Sequence, residues 1–177
     1  ANFSFADNEI RYGRGYGIYC DDGSTGMTIA RNKFAANQNA PISVLPNGVN
    51  LLEGNYGDGR IYVRGGDMTV ADALWRLQPL DYELLGNITV RHAQSGQTAV
   101  LTIEPGVKLY MRAGTSIFVG YSYYSNVYYG ALKAEGTEDK PILFTSASQT
   151  PNPGDWGALY FQPQTNGAKT SLSRTII

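Results

Sequence analysis

Apolar and polar residues alternate along most of the chain in very short runs, broken by Gly, Asn, Asp and Pro. Ile18-Tyr19-Cys20, Ile42-Ser43-Val44 and Ile61-Tyr62-Val63 each place their first and third residues on one side of an extended segment. A second set runs in phase with these: Phe5-Ala6-Asp7-Asn8-Glu9-Ile10, Ile29-Ala30-Arg31-Asn32-Lys33-Phe34 and Leu51-Leu52-Glu53-Gly54-Asn55-Tyr56. Its first apolar residues fall 24 and then 22 positions apart. The second half continues with Ile88-Thr89-Val90, Leu101-Thr102-Ile103, Val107-Lys108-Leu109, Ile117-Phe118-Val119, Ala131 to Ala134, Ile142-Leu143-Phe144 and Leu159-Tyr160-Phe161. Turns separate them at Glu104-Pro105-Gly106, Ala113-Gly114, Glu135-Gly136 and Pro153-Gly154-Asp155, where Pro presets one turn angle and Gly supplies the positive one. One segment has helix spacing: Val70, Ala73, Leu74 and Leu77, stopped by Pro79. It reads either as a short helix or as an extended crossing segment.

The spacing selects the fold. Two short strands every 22 to 24 residues leave no room for a β-α-β unit, which needs about 30 residues. Stacked hairpins would show two-residue turns between close strand pairs. A solenoid with coils of about 20–25 residues fits instead, each coil pairing in parallel with the next at about 4.8 Å. The pattern divides the chain into Asn-rich coils over 1–66, a crossing segment over 67–87, and further coils over 88–177 that carry a Tyr-rich insertion at 120–130, all in one continuous solenoid. Asn8 and Asn32 fall at equivalent corners, where stacked amides can hydrogen-bond along the axis and Asn tolerates left-handed backbone.

Several blocks carry a family resemblance: Leu101 to Val107, Leu132 to Thr137, Pro141 to Ser146 and Gly154-Asp155-Trp156-Gly157. With Gly15 to Cys20 and Ile29 to Phe34 beside them, the sequence resembles the right-handed parallel β-helix (pectin-lyase-like) repeat modules of large bacterial and archaeal extracellular surface proteins. The resemblance implies an all-β, right-handed parallel β-helix over nearly the whole chain. It implies little about function, since that fold serves lyases, hydrolases, adhesins and passive stalks. It also implies an order in which the Glu-Pro-Gly block and the Gly-Asp-Trp-Gly block precede the Asn-rich coils. Here the Asn-rich coils come first, and joining Ile177 to Ala1 restores the order. The expectation is one period of a tandem array or one subunit of a head-to-tail stack, against an arbitrary fragment. The chain opens at Ala1 on a patterned segment, as a processed product, a fragment or one unit of something longer would.

Composition narrows the partners. Fourteen Lys+Arg against 15 Asp+Glu give a net charge of −1, so no basic excess points to nucleic acid. No apolar run approaches the roughly 18 residues of a membrane span. One Cys cannot form an internal disulfide or a Cys-based zinc site. Low charge, a single Cys and the sequons Asn2-Phe3-Ser4 and Asn87-Ile88-Thr89 suit an extracellular or cell-surface protein.

Enzyme chemistry finds little support. Polysaccharide lyases similar to this chain use a Lys or Arg base beside acidic calcium ligands. The related hydrolases use several Asp residues near a Gly-His-Gly and an Arg-Ile-Lys. The single His92 has no Gly beside it, and Arg60-Ile61-Tyr62 lacks the Lys. Asp21-Asp22 is the one adjacent Asp pair and reads as a solvated turn. The turn acids Asp21, Asp22, Asp58, Glu138, Asp139 and Asp155 have no dedicated calcium-loop spacing, so no catalytic residue, metal site or cofactor is expected, with calcium as the minor alternative. Gly13-Arg14-Gly15-Tyr16-Gly17 has no helix after it and reads as a closely packed turn, not a phosphate loop. Cys20 reads as an inward small hydrophobe.

The distinctive stretch is the insertion, with Tyr121, Tyr123, Tyr124, Tyr128 and Tyr129 set among Ser and Asn. Insertions on a solenoid project from one face, and Tyr with Ser and Asn is a binding-loop composition. These five residues are the candidate binding or assembly loop, against a hairpin packed on its own coils. The expected function is a non-catalytic extracellular structural module that stacks end to end in a filament, stalk or tandem-repeat surface protein, with copies of itself or adjacent repeats as partners. A carbohydrate-binding adhesin using the Tyr loop comes second, and a polysaccharide lyase or hydrolase third.

Overall fold

The computed structural model describes residues 3–21 and 27–177. The chain winds as a parallel β-helix. Coil 1 contains β1 (Phe3–Ala6), β2 (Glu9–Arg11) and β3 (Tyr16–Tyr19). Coil 2 contains β4 (Met27–Ala30), β5 (Lys33–Ala35) and β6 (Ala40–Val44), followed by a 3-10 turn at Pro46–Leu51. Coil 3 contains β7 (Leu52–Glu53), β8 (Tyr56–Gly57) and β9 (Ile61–Val63). Coil 4 contains β10 (Gly66–Met68), β11 (Asp72–Trp75) and β12 (Tyr82–Leu84), and coil 5 β13 (Ile88–Val90), β14 (Thr98–Ile103) and β15 (Lys108–Met111). Coil 6 contains β16 (Ile117–Val119), β17 (Tyr121–Tyr123), β18 (Asn126–Glu135) and β19 (Ile142–Ser146), and coil 7 β20 (Leu159–Phe161), β21 (Ser171–Ser173) and β22 (Thr175–Ile176).

One seven-stranded sheet, β3-β6-β9-β12-β15-β19-β22, runs the length of the stack and makes it a single solenoid. Its inner column is Ile42, Ile61, Tyr82, Leu109 and Phe144, none more than 1% exposed. Val44, Val63, Leu84 and Met111 form a second buried column beside it. Parallel pairing in register puts like side chains one coil apart, so each apolar residue is covered from above and below. Two three-stranded sheets, β1-β4-β7 and β2-β5-β8, flank it in coils 1–3. From coil 4 onward they give way to β10-β13-β16-β20 and to the sheet built on β11-β14-β18, which β21 joins.

Several expectations are corrected. The segment 67–87 is no simple crossing: it carries β11 and β12 and parts of the long and flanking sheets. The helix reading of Val70 to Leu77 fails. Residues 72–75 pair in parallel with Val100–Ile103, and Ala73 and Trp75 point inward. The third repeat is shifted by one residue, because Ile29 pairs with Leu52, not Leu51. The left-handed corner residues are Asp7, Arg31 and Gly54, each one position before the corner Asn. The 20–25 residue coil holds early: hydrogen-bonded corner positions are 24 and then 23 apart. Later coils lengthen, to 29 residues between the paired Ile88 and Ile117 and 42 between the paired Ile117 and Leu159.

The corner amides form a ladder. Asn8 Nδ2 donates to Asn32 Oδ1 at 3.0 Å, and Asn32 Nδ2 donates to Asn55 Oδ1 at 3.1 Å. Asn55 N–H donates on to Gln78 Oε1 at 3.3 Å, carrying the ladder across the change of sheets. Asn32 and Asn55 are fully buried, so these bonds satisfy groups that water cannot reach. Gly17 is needed for close approach, because a Cβ there would meet the Pro41 carbonyl and the Phe34 ring.

Candidate functional site

The Tyr insertion is an antiparallel hairpin. Tyr121 faces Tyr128 and Tyr123 faces Asn126, with Tyr124 and Ser125 at the tip. Its base is fixed by two glycines. Gly120 N–H donates to the Val90 carbonyl at 2.8 Å and Gly130 N–H to the Gln164 carbonyl at 3.3 Å. A Cβ on Gly130 would overlap the Val90 carbonyl, so only glycine lets the hairpin leave the coil here. One side of the hairpin is held by the preceding coil: Tyr129 N–H donates to Gln97 O and His92 N–H to Tyr129 O, both at 3.1 Å. His92 Nδ1 accepts from Gln94 N–H at 3.0 Å, which spends its acceptor on locking that turn.

Five tyrosines therefore take three roles. Tyr121 and Tyr128 pack together, ring centroids 6.1 Å apart, under the Arg91 guanidinium at 5.5 and 5.1 Å. Arg91 is itself held by Asp67 one coil back, at 3.0 Å through Nε. Tyr129 alternates to the other face. Tyr123 and Tyr124 stand in solvent at the tip as an edge-to-face pair, centroids 4.5 Å apart, with Tyr124 89% exposed. Tyr124 adopts φ 51°, a left-handed conformation that a bulky side chain rarely takes. The hairpin is thus packed against the preceding coil at Tyr121 and Tyr128 and open to solvent at Tyr123 and Tyr124.

A second constellation, not foreseen as a unit, lies on the outward face of the long sheet. Tyr62, Glu83 and Tyr110 stack in register in coils 3, 4 and 5. Arg60 of coil 3 pairs with Glu83 Oε2 at 3.2 Å and lays its guanidinium 3.4 Å from the centre of the Tyr110 ring. Arg112 of coil 5 pairs with Glu83 Oε1 at 2.7 Å and lies over the Tyr62 ring at 4.9 Å. The two arginines cross two coils in opposite directions and cover Glu83, which is 8% exposed although it points outward. Arg64 repeats the device: from coil 3 it pairs with Asp21 at 2.7 Å, hydrogen-bonds the Tyr19 hydroxyl and the Cys20 carbonyl, and covers the Tyr19 ring at 4.1 Å. Cation–π contact and ion pairing combine here because guanidinium is planar and weakly hydrated.

Beside this face is an open groove of about 530 Å³, lined by Glu83, Leu85, Arg112, Ala113, Ser146, Ala147, Ser148 and Asp155. Asp155 Oδ2 accepts from Ser146 Oγ at 2.7 Å and from Asn152 N–H at 3.0 Å, and these bonds hold its carboxyl below the usual carboxylate range. Both Glu83 oxygens are engaged by arginine, so Glu83 is poorly placed to act as a base. Within this lining the Ser146 hydroxyl and the Asp155 carboxylate are in direct hydrogen-bond contact.

The remaining candidates do not converge. Asp58 accepts from Ala36 N–H at 3.3 Å, Glu138 lies 4.0 Å from Arg174, and Asp21 is with Arg64. Asp22 and Asn2 lie outside the described residues. Among the described residues no three His, Cys, Asp or Glu side chains come together as metal ligands. Cys20 is buried and burial pushes its thiol up. Asn87 is exposed, with Oδ1 accepting from Ser116 N–H at 2.9 Å. Among the described residues no helix is long and apolar enough to cross a membrane.

Comparison with known families matches residues 69–174 to the pectate-lyase-like β-helix domain. Comparisons with curated proteins and with solved structures found no match. The chain belongs to the pectate-lyase-like β-helix domain family.

Proposed function

We propose that this family member is a non-catalytic structural segment of an extracellular or cell-surface protein, a rod whose coil stack continues into further β-helical coils. The observation that carries the reading is the state of the core at the two outermost described coils. Met68, Val90 and Val119 form one buried column, 0% exposed, yet Phe161 in the same column is 46% exposed. At the other end Phe5 sits over fully buried Ile29 and is only half-buried, while Phe3 is 56% exposed. Aromatic residues in core columns, beside strand edges that want partners, call for more coils on top of them. Those coils belong either to the same polypeptide or to another copy. The arginines that clamp successive coils suit a rod loaded along its axis.

Sedimentation and negative-stain electron microscopy of the purified chain test this. Elongated assemblies that lengthen with concentration support it. Compact monomers at high concentration that bind no hydrophobic dye at their ends overturn it.

A second reading, a glycan-binding module, has one specific observation in its favour: the exposed Tyr123–Tyr124 pair on a rigidly based hairpin. Tyr123→Ala with Tyr124→Ala should abolish retention on a glycan array while leaving the melting temperature within about 2 °C, since exposed substitutions cost little. Unchanged retention, or none by the wild type, removes this reading.

A further inference from the structure

We propose that the coils covering the two ends are those of a second copy of this chain, stacked head to tail with its coil 1 on coil 7 and Asp7 set against Arg174. This rests on the structural reading above and names its partner and register.

The first argument is the backbone at one corner. In coil 1 the sequence Phe5-Ala6-Asp7 runs inward, outward, then left-handed, with Asp7 at φ 59°. Ile29-Ala30-Arg31 repeats this in coil 2 with Arg31 at φ 53°, and Gly54 at φ 60° follows in coil 3. Coils 4 to 6 turn otherwise. None of residues 76–78 or 135–137 is left-handed, and in coil 5 the left-handed residue is Gly106, one position farther on. Coil 7 returns to the first form: Leu172 continues the inward column of Ala134, and Arg174 has φ 49°. A left-handed residue without glycine is costly, yet Arg174 adopts it above a coil 6 corner that does not. The corner of coil 7 thus has the backbone form of the coil 1 and coil 2 corners, which stack on one another.

The second argument is charge. Laying coil 1 of a second copy on coil 7, inward residue on inward residue, sets Phe5 over Leu172, Ala6 over Ser173 and Asp7 over Arg174. Within the chain the same corner already pairs opposite charges on adjacent coils, Arg31 Nε to Asp7 Oδ1 at 2.8 Å and Nη2 to Oδ2 at 2.7 Å. Among the described residues the ion pair of Arg174 is a 4.0 Å contact with Glu138, and its side chain is 62% exposed. The second copy's Asp7 then stands between its own Arg31 and Arg174, an Arg-Asp-Arg column along the axis.

The third argument is the amide ladder. Asn32 Nδ2 donates to the Phe5 carbonyl of the preceding coil at 2.9 Å, and Asn55 Nδ2 to the Ile29 carbonyl at 2.8 Å. Asn32 Oδ1 accepts Asn8 N–H, and Asn55 Oδ1 accepts Asn32 N–H. Asn8 departs from this pattern: its Nδ2 turns back to the Ala6 carbonyl at 2.9 Å. In the stacked register the Leu172 carbonyl and the Thr175 N–H occupy the places that the Phe5 carbonyl and Asn8 N–H occupy for Asn32. The ladder then crosses the junction.

The test is a directed disulfide in a Cys20→Ser background. Coils about 4.8 Å apart place facing corner residues inside the roughly 4.4–6.8 Å Cα window of a disulfide. Chains carrying both Asp7→Cys and Arg174→Cys should give a ladder of multimers on a non-reducing gel after mild oxidation. A mixture of the two single variants should give only mixed dimers. A complementary variant in the unaltered background, Arg174→Glu, should raise the concentration needed for assembly about fivefold or more, and Arg174→Lys should not. Elongated assemblies that show no cross-link, or that link Asp7→Cys to itself, overturn this register while the rod reading stands. Monomers at every concentration, with circular dichroism showing an intact fold, overturn the second-copy proposal, and overturn the rod reading too when their ends bind no hydrophobic dye.

Discussion

Replacing Asn32 tests the physical basis of the coil stack most directly. Its Oδ1 accepts from Asn8 N–H and Asn8 Nδ2, both at 3.0 Å, and its Nδ2 donates to Phe5 O at 2.9 Å and Asn55 Oδ1 at 3.1 Å. The residue is 0% exposed. Asn32→Ala removes all four bonds and leaves a small void, but Asn8 and Phe5 are not fully buried and water can reach them in part. The expected loss is therefore about 2–3 kcal/mol, less than four fully orphaned groups would give. Asn32→Asp sharpens the test. Its carboxylate can still accept from Asn8, but it faces two acceptors where the amide donated. The ionised form is repelled, so the folded-state pKa rises above the unfolded value of about 3.9. Stability is then greatest below about pH 3.9 and falls by about 1.4 kcal/mol for each pH unit between the unfolded and the folded pKa, and is flat beyond the folded one. Urea unfolding followed by the fluorescence of Trp75 and Trp156 at pH 4 and pH 7 measures this. Hydrogen exchange of residues 3–21 shows whether coil 1 detaches alone, as a solenoid permits. A loss below about 1 kcal/mol for Asn32→Ala, or an Asn32→Asp stability that does not fall between the two pH values, refutes the argument.

Phe144→Ala in the long inner column should cost about 3–5 kcal/mol by equilibrium unfolding, because the coils on both sides keep it from collapsing. Gly130→Ala should cost about 2–3 kcal/mol and shift the Tyr hairpin, seen as altered exchange of the Tyr129 and Gly130 amides, since its Cβ has no room against the Val90 carbonyl. Glu83→Ala should cost about 2–3 kcal/mol and release both arginines, whereas Glu83→Gln should cost less because its one remaining oxygen still accepts from one arginine. Asp155 stabilises the 147–158 loop while ionised. Its carboxyl lies below its ordinary value of 3.8, so the contribution is present above pH 3.8 and is lost as pH falls through the lowered value. Proteolytic nicking of the loop by an acid protease should rise steeply below pH 3.8 in the wild type and be nearly level with pH in Asp155→Asn.

The sequence made the long sheet legible because its strands are short, regular and in phase. Ile18, Ile42 and Ile61 fall in one column by spacing alone, and the structure pairs the strands that hold them in that register. The third repeat slips because Leu51 and Leu52 are both apolar, and the 3-10 turn at Pro46–Leu51 takes up one residue that periodicity does not count. The corner Asn residues are visible in the sequence, but their role is not fully so. They are selected for stacked amides, while the left-handed backbone sits on the residue before them, where Asp7, Arg31 and Gly54 share no side-chain type. The helix reading at Val70 to Leu77 rests on four apolar residues. A neighbouring strand satisfies the backbone at 72–75 with a parallel ladder, and this outweighs local spacing.

The Tyr insertion is legible in the sequence as a feature and not as a mechanism. Which tyrosines support and which present depends on Arg91, a coil away in sequence, reaching between Asp67 and the Tyr121–Tyr128 pair. The same blindness hides the crossing of Arg60 and Arg112 at Glu83. Each arginine looks like an ordinary outward residue of a strand end until the register stacks Tyr62, Glu83 and Tyr110 beneath it. Such contacts explain how a chain with 14 basic and 15 acidic residues places charge usefully on a rod. Inward columns resist water, corner amides fix register, and arginines running along the axis tie each coil to its neighbours, some to the second one away. A coil that separates must give up all three kinds of contact together. That coupling makes the outermost coils the weak point, since there each kind of contact is made on one side alone. The junction proposed above, extending the apolar columns, the amide ladder and the Arg31–Asp7 pairing at once, would stabilise the stack at those coils, and Arg174 is the residue of coil 7 that would make its charged part.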